Sequence, residues 1–255
     1  MGEDGARATV PGLNLNRYFK PLDPKYANMD PKDWPYEVRR AQELMAKVLN
    51  NPDEDPTLRP EALLDIHDFS DPKGPVFMIA DPYFGPRVKG DNRDGFAIAS
   101  AIGAPIISSG WTEADPGGSD GFMSNLEKLG ICIEAGYKKS SEATLAYGHG
   151  SLARLALQFG MFEGNLPPMF SEQGNEPRYI FNEGPFIRQT DADYELLLPE
   201  HLRQTFTPIP EGQEIAKMDG KIYKAPKDKL IIFPEEDAPV GTEAFYYAHE
   251  FKSAA

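Results

Sequence analysis

The sequence has little of what characterises extracellular or membrane-spanning proteins. Cys132 is the only cysteine among its 255 residues, so the chain can form neither an internal disulfide framework nor a thiolate metal cluster. No apolar run approaches the length of a membrane span, and the first residues do not have the pattern of a signal peptide. These absences predict a cytoplasmic protein that makes no contact with a membrane.

Positive charge is also scarce. The chain has 26 Lys and Arg residues against 40 Asp and Glu, which gives a net charge of −14 at pH 7 and a pI of about 4.8. A net negative protein repels phosphate groups, so we expect neither nucleic acids nor anionic membranes as partners. A small anionic substrate is still compatible with the composition, because a local arginine can override the global field.

What the sequence does contain is an alternation of short apolar segments and helical patterns. The spacing predicts strands over residues 63–67, 76–80, 105–108 and 130–135. It predicts one helix that starts at Pro35. It predicts three further helices over residues 91–103, about 122–129 and 141–160. We interpret residues 110–121 as a glycine-rich loop. The alternation predicts an α/β sheet with helices on its faces, and ligands of such sheets gather at the carboxyl ends of the strands.

The pattern changes at about residue 165, where Pro167 and Pro168 indicate a boundary. Short strands are predicted beyond it, over residues 178–181, 205–209, 214–217, 221–224 and 229–233. We therefore predict an α/β domain over residues 1–164 and a small β-rich domain over residues 165–255. The aromatic tail, residues 243–251, is expected to pack back onto the body of the protein.

Candidate catalytic residues lie at the ends of two predicted strands. Asp65 and His67 are two positions apart, so on a strand they project from one face, with a carboxylate placed to orient a metal-binding imidazole. Glu134 is a charge in an apolar strand, and a buried carboxylate can act as a general base or acid. Asn16 and Arg17 can together bind a carboxylate. The structural alternatives are a solvated strand end for His67, an exposed position for Glu134 and a surface ion pair for Arg17.

Four stretches follow one another along the chain, namely residues 15–19 (LNRYF), 34–43 (WPYEVRRAQE), 64–67 (LDIH) and 130–136 (GICIEAG). Together and in this order, they resemble the succinylglutamate desuccinylase/aspartoacylase family of zinc-dependent hydrolases. Residues 212–221 and 243–247 are similar to the β-rich domain of that family and its closing tyrosine. The resemblance implies a carboxypeptidase-like mixed sheet flanked by helices, with zinc as the cofactor.

The resemblance also implies a reaction and a set of roles. The reaction is hydrolysis of the amide bond of a small anionic N-acyl amino acid, similar to N-acetyl-aspartate, with release of a carboxylate and an amino acid. The implied roles are His67 as a zinc ligand, Asp65 as its support, Glu134 as the proton-transferring residue, Asn16 and Arg17 as ligands of a substrate carboxylate, and Tyr246 as part of the closing pocket.

The chain departs from the family at the zinc ligands. Two of the three ligands in the family come from a His-Gly-x-Glu motif ahead of the Asn-Arg motif, and this sequence contains no such motif. The match begins near Leu13, so we expect the N-terminal segment of the family to be missing and the sheet to have an exposed edge. One hypothesis is an N-terminally incomplete deacylase. A second is an inactive relative that acts as a binding or interaction protein, and a homo-oligomer is compatible with both. A third and weaker hypothesis recruits Asp65, Asp68 or His149 as replacement ligands.

Overall fold

Strands from both halves of the sequence form one eight-stranded sheet. The structure is a computed structural model, and it describes residues 14–51, 53, 55, 59–69, 74–81, 95–137, 141–166, 177–189 and 194–252. The strands are β1 (Ala62–Phe69), β2 (Phe77–Ala80), β3 (Ile106–Ser109), β4 (Leu129–Tyr137), β5 (Arg178–Ile187), β6 (Glu195–Leu196), β7 (Thr207–Ile209), β8 (Glu214–Met218), β9 (Lys221–Lys224), β10 (Lys229–Ile232) and β11 (Glu243–Phe251).

Among the described residues, six α-helices accompany these strands. They are α1 (Pro24–Ala27), α2 (Tyr36–Leu44), α3 (Gly95–Ile102), α4 (Trp111–Ala114), α5 (Ser119–Asn125) and α6 (Ser141–Gln158). A π-helical segment, Met45–Leu49, continues α2, and short 3-10 helices cover Leu15–Arg17, Pro31–Asp33 and Glu200–Leu202. Within the described ranges, no helix is both long enough and apolar enough to cross a membrane.

The large sheet has the order β1-β4-β2-β3-β5-β11-β10-β7. β1 runs parallel to β4, and β2 and β5 run parallel to β3. The β2–β4 pair and the pairs that join β5, β11, β10 and β7 are antiparallel. A separate three-stranded sheet has the order β6-β8-β9. The mixed sheet with flanking helices confirms the predicted fold class, while the division of the chain at residue 165 stays a prediction.

Alternation along β4 separates the two faces of the sheet. Ile131, Ile133 and Ala135 belong to a core that contains residues of α3 and α6. Cys132 belongs to a second core with Trp111 and residues of β2, β5, β10 and β11. Because successive side chains of a strand point to opposite faces, Glu134 lies on the same face as Cys132.

The expected loop at residues 110–121 is wrong, because this segment contains α4 and the start of α5. The glycines that suggested a loop stand at the starts of helices. Gly110 precedes α4 with a φ of 82°, a backbone conformation that favours glycine, and Gly118 caps the N-terminus of α5. The helix predicted from residue 122 therefore begins three residues earlier, at Ser119.

The aromatic tail is an interior strand of the large sheet. β11 pairs with β5 on one side and with β10 on the other. At the opposite end of the strand order, β1 has a strand partner on one side only within the described residues. Ile66 of β1 is 43% exposed, so an apolar side chain of this edge faces solvent.

Candidate active site

The register of two parallel strands assembles the centre of the site. β1 pairs with β4 so that Asp65 lies opposite Cys132 and His67 lies opposite Glu134. Paired residues of neighbouring strands share a face, and residues two apart on one strand also share a face. These four side chains therefore converge on one side of the sheet, although β1 and β4 are far apart in the sequence.

His67 is held by polar groups on both ring nitrogens. Its Nε2 lies 3.1 Å from Asp65 Oδ1 and 3.2 Å from Asn16 Nδ2. Its Nδ1 lies 3.9 Å from Glu134 Oε1. Burial of the ring disfavours the charged form, but the hydrogen bond and the charge of Asp65, with Glu134 adding to them, raise the pKa of His67 to about 9.

Ser119, at the start of α5, connects Asp65 of β1 to Asn16 of the N-terminal segment. Its Oγ donates a 2.5 Å hydrogen bond to Asp65 Oδ2, and its backbone N–H donates a 2.8 Å hydrogen bond to Asn16 Oδ1. Burial opposes ionisation of Asp65, but hydrogen bonds from His67 and Ser119 outweigh it and lower the pKa of the Asp65 carboxyl. Ser119 therefore fixes both Asp65 and Asn16, and their positions fix His67.

Arg17 lies among carboxylates. Its Nη1 is 2.8 Å from Asp115 Oδ2, and its Nε is 3.7 Å from Glu243 Oε1. Burial alone would lower the pKa of Arg17, but Asp115, Tyr246 and Glu243 raise it above its usual range. Burial also raises the pKa of Asp115, with Glu243 adding to the effect and Arg17 opposing it. Among the residues that the structure describes, Arg17 Nη2 has no hydrogen-bond partner, so this nitrogen is available to a ligand.

Tyr246 and Trp111 form an aromatic wall beside this ion pair. Tyr246 comes from β11 and Trp111 from α4, and their ring centroids are 4.8 Å apart. Trp111 Nε1 donates a 2.8 Å hydrogen bond to Ser108 Oγ, which fixes the indole. Burial raises the pKa of Tyr246 far above its usual range, and Asp115 and Glu243 add to that effect. The Tyr246 hydroxyl is therefore protonated at neutral pH.

These groups surround one cavity of about 500 Å³. Five of the six sequence-predicted site residues line it, namely Asn16, Arg17, His67, Glu134 and Tyr246. The sixth, Asp65, contacts the His67 ring. Asp68, one of the proposed replacement ligands, also lines the cavity, whereas His149 is exposed on α6, whose buried side packs on the other face of the sheet. The structure brings the predicted residues together, and their roles stay predictions.

Several residues of the site carry no clear signal in the sequence. Asp115, Asp120 and Glu243 are three among many acidic residues, and the contacts that distinguish them are tertiary. Asp120 lines the cavity, and burial together with the charge of Asp65 raises the pKa of its carboxyl to about 6. Ser119 has a local signal that could have found it, because a Gly-Ser-Asp sequence ahead of an apolar segment is typical of a helix start.

Cys132 adds a third donor to the groups that could hold a metal. Ligand atoms of His67, Cys132 and Glu134 all lie within 4.8 Å of one another. An imidazole, a thiolate and a carboxylate are all donors that zinc accepts, and a catalytic zinc site has three protein ligands. The described residues fit zinc by donor type, and they reach three ligands only when Glu134 is counted. Burial raises the pKa of the Cys132 thiol well above its usual range, so this donor requires a nearby cation to ionise.

Comparison with known proteins shows which domain family and which solved structures this chain is similar to. Residues 169–249 match the family model of the AstE/AspA barrel-sandwich hybrid domain. No curated protein matches the chain. Among solved structures, succinylglutamate desuccinylase from Vibrio parahaemolyticus is 17% identical with a TM-score of 0.67, and the match covers 95% of this chain and 67% of that chain.

Two further structures agree with this match. The succinylglutamate desuccinylase/aspartoacylase from Rhodobacter sphaeroides is 14% identical with a TM-score of 0.60, covering 97% of this chain and 70% of that one. The product-bound ectoine utilization protein EutE from Ruegeria pomeroyi is 17% identical with a TM-score of 0.60, covering 98% and 71%. This chain therefore corresponds to about two thirds of the length of each of these structures.

The chain has the fold of the solved succinylglutamate desuccinylase and aspartoacylase structures, and it contains an AstE/AspA barrel-sandwich hybrid domain. The family resemblance predicted from the sequence motifs is confirmed.

Proposed function

We propose that this protein hydrolyses the amide bond of an N-acyl amino acid, with zinc as its cofactor. The observation that carries the proposal is the convergence of His67 and Glu134 from paired strands on a cavity that Asn16 and Arg17 also line. Hydrolysis of an amide in a carboxylate-bearing substrate is served by three groups at this cavity. They are a carboxylate for proton transfer, an imidazole beside it and a guanidinium that can bind the substrate carboxylate.

His67 and Cys132 are the two described residues that would hold zinc, and Glu134 lies beside them as the proton-transferring residue and not as a third ligand. When bound, zinc supplies Lewis-acid chemistry, because it polarises an amide carbonyl and lowers the pKa of water. Glu134 is the residue that takes a proton from the attacking water and delivers it to the amine of the leaving amino acid. A donor oxygen of Glu134 lies within 4.8 Å of the donor atoms of His67 and Cys132, and this proximity supports the role.

The residues around Asn16 and Arg17 position the substrate. In this proposal, Arg17 Nη2 and the Asn16 amide bind the α-carboxylate of the amino-acid part. Arg17 cannot turn away freely, because Nη1 also donates a 3.1 Å hydrogen bond to the Asn16 carbonyl oxygen. The motif resemblance favours a substrate similar to N-acetyl-aspartate, whose second carboxylate must also fit this cavity.

The test compares hydrolysis by the wild type and by Glu134→Gln. The protein is treated with a chelator, reloaded with zinc and supplied with a panel of N-acetyl amino acids, and release of free amine is measured. We expect kcat of Glu134→Gln to fall by roughly 10²- to 10⁴-fold, because the amide that replaces the carboxylate cannot accept a proton. Glu195→Gln, an exposed glutamate on β6, removes the same charge far from the cavity and should leave kcat unchanged.

Two outcomes would contradict the proposal. Folded, zinc-loaded protein that releases amine from no member of the panel refutes the hydrolase function. If such protein still binds an N-acyl amino acid, the alternative of an inactive binding protein replaces it. Equal kcat values for the wild type and Glu134→Gln would refute the role of Glu134 and leave the hydrolysis to another residue.

A further inference from the structure

Ser119 stands between the two halves of the candidate site. Its Oγ donates a hydrogen bond of 2.5 Å to Asp65 Oδ2, on the side of the proposed zinc ligand His67. Its backbone N–H donates a hydrogen bond of 2.8 Å to Asn16 Oδ1, on the side of the proposed carboxylate ligands. One residue thus contacts each half with a different donor, a side-chain hydroxyl for one and a main-chain amide for the other.

Close backbone packing holds Ser119 in place without these two bonds. A Cβ on Gly117 would collide with the backbone of Arg17. A Cβ on Gly130 of β4 would collide with the backbone of Asp120, the residue after Ser119. The start of α5 is therefore seated directly on the N-terminal segment and on β4, so Ser119 is the fixed member of each hydrogen bond.

The hydroxyl acts on the zinc side through one carboxylate. Asp65 divides its oxygens, because Oδ2 accepts from Ser119 and Oδ1 lies 3.1 Å from His67 Nε2. With Nε2 bonded to Asp65, Nδ1 is the ring nitrogen left for a metal, and it lies 3.9 Å from Glu134 Oε1. A carboxylate behind a metal-binding imidazole fixes the ring and makes it a stronger ligand. Loss of the Ser119 hydroxyl would let Asp65 turn and would loosen the ring.

The backbone N–H acts on the carboxylate side through the orientation of an amide. Only the oxygen of the Asn16 side chain can accept from an N–H, so this bond places Nδ2 on the other branch, 3.2 Å from His67 Nε2. An Nε2 that donates to Asp65 cannot accept from this amide, so the hydrogens of Nδ2 can serve a ligand in the cavity that Asn16 lines. An amide turned over would present its oxygen to the substrate carboxylate and repel it.

We propose that Ser119 is a positioning residue for both halves of the site. Its hydroxyl holds Asp65, and through it His67, for zinc, while its backbone N–H orients Asn16 for the substrate carboxylate. This inference rests on the proposed function in taking zinc and a carboxylate-bearing substrate as the occupants of the cavity. It assigns zinc affinity to one bond of Ser119 and substrate affinity to the other.

Two substitutions at this one position separate the two bonds. Ser119→Ala removes the hydroxyl and keeps the N–H. Ser119→Pro removes both donors, and the backbone is suited to it. Ser119 is the first residue of α5, and Gly118 before it has φ −71° and ψ 150°, in the extended region that the residue before a proline adopts. Ser124→Ala is the matched control, because it removes a hydroxyl from the same helix at a position that does not line the cavity.

Three readouts are compared, and urea unfolding shows that each variant is folded. Zinc affinity is measured by competition with a chromophoric chelator. The affinity and KM are measured, at saturating zinc, for the member of the N-acetyl amino-acid panel that the wild type binds most tightly. The third readout is the NMR signal of the Asn16 side-chain amide in zinc-free protein, identified by its loss in Asn16→Asp.

The two variants should differ in which readouts change. Ser119→Ala should weaken zinc binding by about 3- to 10-fold, because it removes the group behind the direct partner of the metal-binding histidine. It should leave the amide signal, the ligand affinity and KM unchanged. Ser119→Pro should weaken zinc binding to the same degree, shift the amide signal, and raise both the ligand dissociation constant and KM by about tenfold. Ser124→Ala should change none of them.

The outcomes separate this inference from the proposed function. Unchanged zinc affinity in Ser119→Ala overturns the role of the hydroxyl. Equal ligand affinities and equal amide signals in Ser119→Ala and Ser119→Pro overturn the role of the N–H. If Ser119→Pro does not fold, Ser119→Ala decides alone, because weaker ligand binding or a shifted amide signal in that variant contradicts the division of roles. A wild type that binds zinc but hydrolyses no member of the panel overturns the proposed function instead, and zinc affinity and the amide signal still decide this inference.

Discussion

Replacement of Asp65 by asparagine should change the protonation of His67 more than any other single substitution on β1. Asp65 accepts from His67 Nε2 at 3.1 Å and is itself held by Ser119. Asp65→Asn keeps the shape of the side chain and removes its charge. In metal-free protein the hydrogen bond and the charge of Asp65 are the main causes that hold the pKa of His67 above its usual value.

The size of the effect follows from the two pKa values of His67. The pKa is about 9 in the fold and 6.5 in an unperturbed histidine, a difference that corresponds to roughly 3 kcal/mol. Because the pKa is raised by folding, this stabilisation is fully present below pH 6.5, declines between pH 6.5 and 9, and is lost above 9. The difference in the free energy of unfolding between wild type and Asp65→Asn should follow the same course. The lost Ser119 hydrogen bond should add a part to this difference that does not depend on pH.

The assay is a pH titration of the His67 ring resonances by NMR after chelator treatment. His67→Gln identifies the signals, and urea unfolding at pH 6 and pH 9.5 gives the stability difference. We expect the pKa of His67 to fall from about 9 to 6.5 or below in Asp65→Asn. Asp33→Asn, which alters an exposed carboxylate on the Pro31–Asp33 helix, should leave it unchanged. A wild-type pKa near 6.5, or one that Asp65→Asn does not move, would refute the reasoning.

Three further substitutions test the core, the packing behind the site and the metal donors. Phe77→Ala should lower the free energy of unfolding in urea by about 3–5 kcal/mol, because Phe77 is fully buried, whereas Phe181→Ala, at a ring 38% exposed, should cost much less. Gly130→Ala should cost about 1–3 kcal/mol in the same assay, because a Cβ there would collide with the backbone of Asp120. Cys132→Ser should reduce zinc retained on dialysis against a chelator, and unchanged retention would exclude the thiol as a ligand.

Local patterns in the sequence were sufficient for most strands. The apolar segments that contain Phe77, Ile107 and Ile131 are short and bounded by turn residues, so both ends of β2, β3 and β4 lie within two residues of their predicted positions. The α4–α5 segment was missed because Gly110 and Gly118 are typical of loops and also of helix starts. The central position of β11 could not be predicted, because strand order depends on contacts between distant parts of the chain.

Those residues of the site that lie on one strand or in one motif could be predicted from the sequence. Alternation along β1 placed Asp65 and His67 on one face, and the structure agrees. The position of Cys132 beside them depends on the β1–β4 register, which no local pattern encodes. The pairing of Arg17 with Asp115 and Glu243 is likewise tertiary, so no local pattern predicts it.

Within the described residues β1 has one strand neighbour, and this has a consequence for how the site responds to heating. A strand with one neighbour can detach locally at a smaller free-energy cost than global unfolding requires. Detachment of β1 would carry Asp65 and His67 away from Cys132 and Glu134, while the core that contains Phe77 and Ile180 stays packed. Loss of the proposed hydrolysis should then precede the main thermal transition, and amide hydrogen exchange should be faster in β1 than in β2 or β3.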